Sequence, residues 1–278
     1  MVIFEKGVEE VYSAITDGIR RFFTACGAKK AVLGLSGGLD SALVLALAAD
    51  TIGSDNIRVM LMPSEYSTVH SVTDAVEMAE GLNVKYDIVE IHSVFKEFSK
   101  SLSPVFKGTK PDVTEENLQA RIRGTLLMAA SNKFGSLLLN TSNKSELAVG
   151  YGTLYGDLCG AVSVIGDIYK TQAYGLAEYI NSIKPVIPSN IITKAPSAEL
   201  RHGQKDSDSL PDYELLDSIL FNLIEKGMTT EELVANGADE LLVSKVVHLT
   251  SRNKFKALQC PPVIKVSSKP LLSAEKWI

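Results

Sequence analysis

The 278-residue chain is poor in the residues that build covalent or metal frameworks, with three cysteines and four histidines. Cys26, Cys159 and Cys260 form an odd set without a CxxC pair, and the histidines stand singly at positions 70, 92, 202 and 248. Neither a disulfide-stapled fold nor a cysteine–histidine zinc site is expected. The thiols read as small buried or half-buried side chains in a reducing compartment. No apolar run approaches the roughly 20 residues needed to cross a bilayer. The early Glu5, Glu9 and Glu10 argue against a secretory leader. A positive charge excess is missing too: 28 Lys+Arg stand against 33 Asp+Glu, a net −5, so nothing marks the chain for nucleic acid. These absences describe a cytoplasmic protein with no membrane or nucleic-acid partner. An anionic small ligand would still need only a few local cations.

Apolar residues at 45% and charged residues at 22% are ordinary for a soluble globular protein, and the length allows a large core. Phe4, Val8, Val11, Tyr12, Ile15, Ile19, Phe22 and Phe23 recur at helical spacing. Residues 31–35 form a short apolar run ending in a glycine loop, as a buried parallel strand does. The stretch 42–49, apolar almost all round, reads as a buried helix. Strands are expected at 57–62, 86–91 and 137–139. Helices are expected at 70–81, at 115–134 behind a Thr114 N-cap, at 213–225 and at 231–249. The last opens on a Thr229-x-x-Glu232 capping box. Strands alternating with helices predict an α/β fold with a doubly wound parallel sheet and a helical C-terminal part. The whole of 1–278 is read as one unit, with a nucleotide-binding core over 1–200. The charged stretch 201–208 is read as unpacked and as a candidate mobile lid.

The string Ser36-Gly37-Gly38-Leu39-Asp40-Ser41 lies between the first strand and the buried helix. Glycines let backbone N–H groups wrap phosphate oxygens at a helix N-terminus, and two hydroxyls add donors. Asp40 would repel a bare phosphate and suits the Mg2+ that travels with ATP. The Walker lysine and the GxGxxG pattern are both missing. A glycine pair alone would need no more than a strand-to-helix turn; the full string is more specific. It resembles the phosphate loop of the N-type ATP pyrophosphatases, which implies cleavage of ATP between its α- and β-phosphates.

A second cluster, Asn140-Thr141-Ser142-Asn143-Lys144-Ser145-Glu146, follows the strand at 137–139. Read locally, Asn143 and Glu146 are a capping pair. The segment nevertheless brings a hydroxyl, a cation and a carboxylate to one strand end. Together with Leu61-Met62-Pro63-Ser64, residues 116–123, 194–201 and 206–211, Phe255-Lys256 and Gln259-Cys260-Pro261-Pro262, it is similar to NAD synthetases over nearly the whole chain. The likeness is to the synthetase domain of the glutamine-dependent enzymes. It implies ATP-dependent amidation of deamido-NAD to NAD through an adenylated intermediate, releasing AMP and pyrophosphate. Gly34, Leu35, Ser36, Gly37, Gly38, Leu39, Asp40, Ser41, Thr141, Lys170 and Ser197 would hold ATP. Asp40 and Glu146 would hold Mg2+. Asn117, Arg121, Glu146, Phe255 and Lys256 would hold deamido-NAD, and Asp40, Thr141, Glu146 and Lys170 would be the catalytic set. Family lysine and aspartate contacts are replaced here by Leu154 and Ala161, and the tail around Lys256 is thin in cations.

The chain begins about one helix before the loop strand, so no glutaminase domain is expected. The nitrogen donor is then ammonia, free or from a separate glutaminase subunit. The resemblance also implies a homodimer. Two alternatives stay open: another ATP pyrophosphatase, such as a tRNA-thiolating or guanine-aminating enzyme, and a non-enzymatic adenine-nucleotide sensor built on the same sheet.

Overall fold

The computed structural model describes residue 2, residues 4–269 and residue 271. Helix α1 (Val8–Ala25) buries Val11, Ile15, Ile19 and Phe23 along one stripe, the spacing that lays a helix on a core. Strand β1 (Ala31–Gly34) leads into α2 (Leu39–Ile52), which is buried on nearly every side from Leu39 to Ala48. Then follow β2 (Ile57–Leu61), α3 (Val69–Gly81), β3 (Lys85–Ile88), α4 (His92–Leu102), α5 (Val113–Phe134), β4 (Leu137–Asn140), α6 (Lys144–Val149), β5 (Val162–Ser163) and α7 (Lys170–Ile183). Four more helices complete the described chain: α8 (Ser189–Thr193), α9 (Tyr213–Ile224), α10 (Thr230–Ala235) and α11 (Glu240–Ala257).

The described strands form one parallel sheet in the order β3-β2-β1-β4-β5, as the alternating pattern predicts. Period-two alternation assigns its faces. Leu33, Val59, Leu61 and Leu139 join the core made with α1, α2, α3 and α7. Val32, Met60, Met62 and Leu138 face the other way, onto Ile122 and Ala130 of α5. Each such fully buried leucine or valine contributes about 1.5–3 kcal/mol. The third core joins Leu216, Ile219 and Leu220 of α9 to Leu233 of α10 and Val243 and Val246 of α11. It docks this helical part on Ala148 and Val149 of α6.

Four local expectations are corrected. The N-cap of α5 is Asp112, which accepts from the Thr114 amide at 2.8 Å and closes a capping box with Glu115. A carboxylate two residues earlier outcompetes the Thr114 hydroxyl. The 231–249 helix is two helices. Gly237 takes a left-handed φ of +91°, and Asp239 caps the restart by accepting from the Leu242 amide at 2.8 Å. The third strand ends at Ile88; beyond it Val89 and Ile91 still donate to Leu61 and Pro63 carbonyls, but outside the regular ladder. The stretch 201–208 is packed: Gln204 and Asp206 are buried, and Arg201 pairs with Asp208 at 2.7 Å and with Glu116 at 3.4 Å.

Candidate active site

In a sheet ordered 3-2-1-4-5, winding reverses between β1 and β4, and crevices open at the carboxyl ends of strands that flank such a reversal. Both sequence motifs lie there. The 36–41 loop leaves β1, and Thr141 to Glu146 leave β4. The topology therefore faces two segments that are 100 residues apart in the chain.

The loop is tightly built. Gly37 has a φ of +77°, and a Cβ there would lie 2.1 Å from the Ser71 carbonyl oxygen on α3, so only glycine fits. The Ser36 and Ser41 hydroxyls meet at 3.1 Å, and Ser41 Oγ accepts from the Ser36 amide at 3.2 Å and donates to the Gly38 carbonyl at 3.0 Å. No side chain caps the N-terminus of α2. Its first amides and the positive end of its dipole face the crevice, which suits a phosphate.

Asp40, on the first turn of α2, is the meeting point. Its carboxylate accepts from Lys170 Nζ, brought by the first residue of α7, and from Asn143 Nδ2 at 3.3 Å. Asn143 and Glu146 form the reciprocal capping box of α6: Asn143 Oδ1 accepts from the Glu146 amide at 2.9 Å, and Glu146 Oε2 accepts from the Asn143 amide at 3.2 Å. Glu146 is thus both a helix cap and the second carboxylate of the crevice. Burial, then the negative charge of Asp40, push its carboxyl well above the usual carboxylate range, against the pull of Lys170. Burial alone would depress Lys170. The carboxylates of Asp40 and Glu146 outweigh it and hold the ammonium protonated above the ordinary lysine value.

That imbalance has a testable consequence. A carboxyl with a raised folded-state pKa costs nothing below the ordinary glutamate range, destabilises increasingly as pH rises from that range to the raised value, and costs a constant amount above it. Glu146→Gln removes this cost while keeping an acceptor for the Asn143 amide. Ligand-free Glu146→Gln is expected to melt above the parent at about pH 8, with the gap closing at lower pH. Circular dichroism melts decide it; an equal or lower melting temperature at high pH refutes the assigned strain.

Two residues that local pattern did not single out complete the setting. Asp206, buried, accepts from Tyr151 Oη at 3.1 Å and Tyr213 Oη at 3.0 Å, and its charge reaches Glu146. Asp217 of α9 accepts from Ser145 Oγ and from the Thr171 amide at 2.8 Å, while Ser145 Oγ accepts from the Lys170 amide at 2.8 Å. This chain of bonds ties the start of α7 to the start of α6 and so fixes Lys170 relative to Glu146. Only the resemblance, through residues 206–211, pointed at Asp206. Nothing local marked Asp217.

The other expected site residues divide. Gly34 ends β1; Leu35 and Leu39 are buried, with the Leu35 amide on the Met60 carbonyl at 3.0 Å. Thr141 follows β4 directly, half-buried, its hydroxyl unbonded among the described residues. Ser197 is committed to its own segment, donating to the Gln204 carbonyl at 2.6 Å and accepting from the Glu199 amide at 3.2 Å. Asn117, Arg121 and Lys256 gather instead on the 150–157 loop. Asn117 accepts from Thr153 Oγ1 at 2.8 Å, and Arg121 Nε donates to Leu154 at 3.2 Å. Lys256 Nζ donates to the Gly150 and Gly152 carbonyls at 2.9 and 2.8 Å. It stands on α11, not in a solvated tail. Phe255 beside it is half exposed.

Among the described residues no group of three or more His, Cys, Asp or Glu could hold a metal unaided, and no helix is long and apolar enough to cross a membrane. A model of the NAD synthase family matches residues 11–260. The glutamine-dependent NAD(+) synthetase of Acinetobacter baylyi is 48% identical over 264 residues, covering 94% of this chain and 49% of that protein. The chain spans about half the length of the curated relatives it matches. Among solved structures, the NH3-dependent NAD synthetase of Campylobacter jejuni is 33% identical with a TM-score of 0.74, over 90% of this chain and 96% of that one. The NMN synthetase of Francisella tularensis is 25% identical with a TM-score of 0.78, over 96% and 99%.

Proposed function

The chain belongs to the NAD synthase family, and from that premise we propose that it amidates deamido-NAD to NAD at the expense of ATP, with ammonia as nitrogen donor. The observation that carries the reading is the convergence of Asp40, Glu146 and Lys170 on the uncapped N-terminus of α2. In the first step a carboxylate oxygen of deamido-NAD attacks the α-phosphorus of ATP, and pyrophosphate leaves with the electrons of the broken P–O bond. Next, ammonia attacks the activated carbonyl carbon, loses a proton, and AMP leaves. The 36–41 loop and the α2 dipole would hold the departing pyrophosphate. Lys170, kept cationic by its carboxylates, screens the repulsion between two anionic reactants.

The donor set suits Mg2+. Two hard carboxylate oxygens in a crevice, one of them raised in pKa by burial and then by its neighbour's charge, fit a cation that takes its remaining ligands from phosphates and water. Asp40 and Glu146 would hold it, and when bound it supplies charge neutralisation on the phosphates.

The C. jejuni enzyme, aligned over nearly all of its length, supports ammonia as the donor. The F. tularensis likeness favours a second reading, in which the mononucleotide replaces the dinucleotide. Incubation with ATP, Mg2+, ammonium and either deamido-NAD or nicotinate mononucleotide, followed by chromatography, tests both. NAD and AMP in equal amounts are expected. No NAD sinks the proposal, and NMN from the mononucleotide alone selects the second reading. Efficient turnover with glutamine by the purified chain would refute ammonia as its donor.

A further inference from the structure

Arg121 and Arg123 are two residues apart on α5, yet their surroundings differ. Arg121 is exposed. Arg123 is half-buried, and its Nε donates at 3.0 Å to the carbonyl of Met62, one residue past the end of β2. Neither of its Nη groups has an acceptor or an ion-pair partner among the described residues. The two carboxylates whose charge reaches it, Glu199 and Asp157, are engaged elsewhere. Glu199 accepts from Ser71 Oγ at 2.6 Å, Lys194 Nζ at 2.9 Å and Thr68 Oγ1 at 3.0 Å; Asp157 accepts from the Thr153 amide at 2.8 Å. Burial, only partly offset by those carboxylates, draws the guanidinium down to about 10.

Its place is the carboxyl edge of the sheet. One turn further along α5, a Leu127 methyl lies 3.3 Å from where a Cβ on Gly34 would be, and the Met62 methyl lies 3.4 Å from it. Arg123 therefore stands beside the entry to the 36–41 loop, on the α5 face, whereas Lys170 arrives with the other helical layer. A half-buried cation without a direct ion-pair partner still gives up part of its hydration. A guanidinium held by Nε alone still presents a planar fork, the shape that grips two oxygens of a phosphate or carboxylate.

We infer that Arg123 is a ligand-binding residue whose Nη fork takes a phosphate or carboxylate of a bound substrate at the β1–β2 edge of the crevice. Only the naming of that substrate rests on the amidation reading. ATP and deamido-NAD both carry the required chemistry, and the test separates them.

The parent, Arg123→Gln and Arg123→Lys are titrated calorimetrically with Mg2+-ATP and, separately, with deamido-NAD. Arg123→Gln is expected to weaken one ligand about tenfold or more, leaving the other within about twofold and the melting temperature within about 2 °C. Arg123→Lys, which keeps the charge and a donor for Met62 but loses the fork, should fall between. Unchanged affinity for both ligands overturns the inference. So does equal weakening of both with a lowered melting temperature, the mark of a purely structural arginine. A parent that binds neither ligand overturns the inference and the proposed reaction together. A parent that binds both yet forms no NAD overturns only the reaction.

Discussion

Asp40→Asn is expected to lower NAD formation at saturating ATP by roughly a thousandfold, since about 4 kcal/mol of charge stabilisation in the reacting phosphates depends on it. The amide keeps the shape of the carboxylate but not its charge. Lys170 loses its ion pair, and Glu146 loses the second anion with which it would share a cation. The fold should tolerate the change. Asp40 sits on the first turn of α2 with its side chain partly exposed, and the lost ion pair is offset by relief of its repulsion with Glu146. A second readout isolates the electrostatics. Asp40 is among the causes of the raised Glu146 proton affinity, so the Glu146 carboxyl should titrate at lower pH in the variant, followed by carbon-detected NMR. Product formation within about tenfold of the parent would remove Asp40 from the reaction.

The elements that periodicity could reach were those whose burial is one-sided or complete. Helix α1 shows its stripe, β1 and α2 show continuous apolar runs around the glycine loop, and α3 and α5 begin or end close to where pattern places them. Local rules failed where two signals compete. Apolar spacing runs on through 231–249 although Gly237 has already ended the helix, and a nearer carboxylate replaces Thr114 as cap. Charge misled as well. The 201–208 stretch looks solvated, but Asp206 is buried because Tyr151 and Tyr213 bring it two hydroxyl donors. In the site, the 36–41 loop is legible because its chemistry is contiguous. The encounter of Asp40 with Lys170 spans 130 residues, and nothing short-range encodes it. It follows from the strand order, which sets the end of β1 beside the end of β4, and from Asp217, which binds α7 to α6. Resemblance to a family supplied Lys170 where physical pattern could not.

Lys144 should show the largest effect on stability. It opens α6, two residues before Glu146, and its side chain has no exposed surface. Its ammonium meets Asp167 at 2.9 Å and Glu225, and donates to Ser267 Oγ at 3.1 Å and the Lys269 carbonyl at 3.2 Å, over the Tyr169 ring. Asp167 in turn accepts from the Val266 and Ser267 amides at 2.8 and 2.6 Å. One buried cation thus joins the start of α6, the approach to α7, the end of α9 and the 266–269 segment. A buried ion pair is weak evidence for net stability, because desolvation consumes most of the attraction. Removing one partner is different, since it leaves the other charges buried without compensation. Lys144→Met strands two carboxylates and is expected to cost about 3–5 kcal/mol in denaturant unfolding. Adding Glu225→Gln to it should recover part of that loss by neutralising one stranded charge, a coupling that independent sites would not show. A single variant within about 1 kcal/mol of the parent, or a double variant losing the plain sum of both changes, would mean that Lys144 fills space and does not balance charge. The cluster also bears on catalysis. Because α6 is short and Glu146 lies in its first turn, freeing its start should loosen the Asn143–Glu146 cap and the distance to Asp40. Residual activity in Lys144→Met should therefore fall before the protein unfolds, as denaturant is raised.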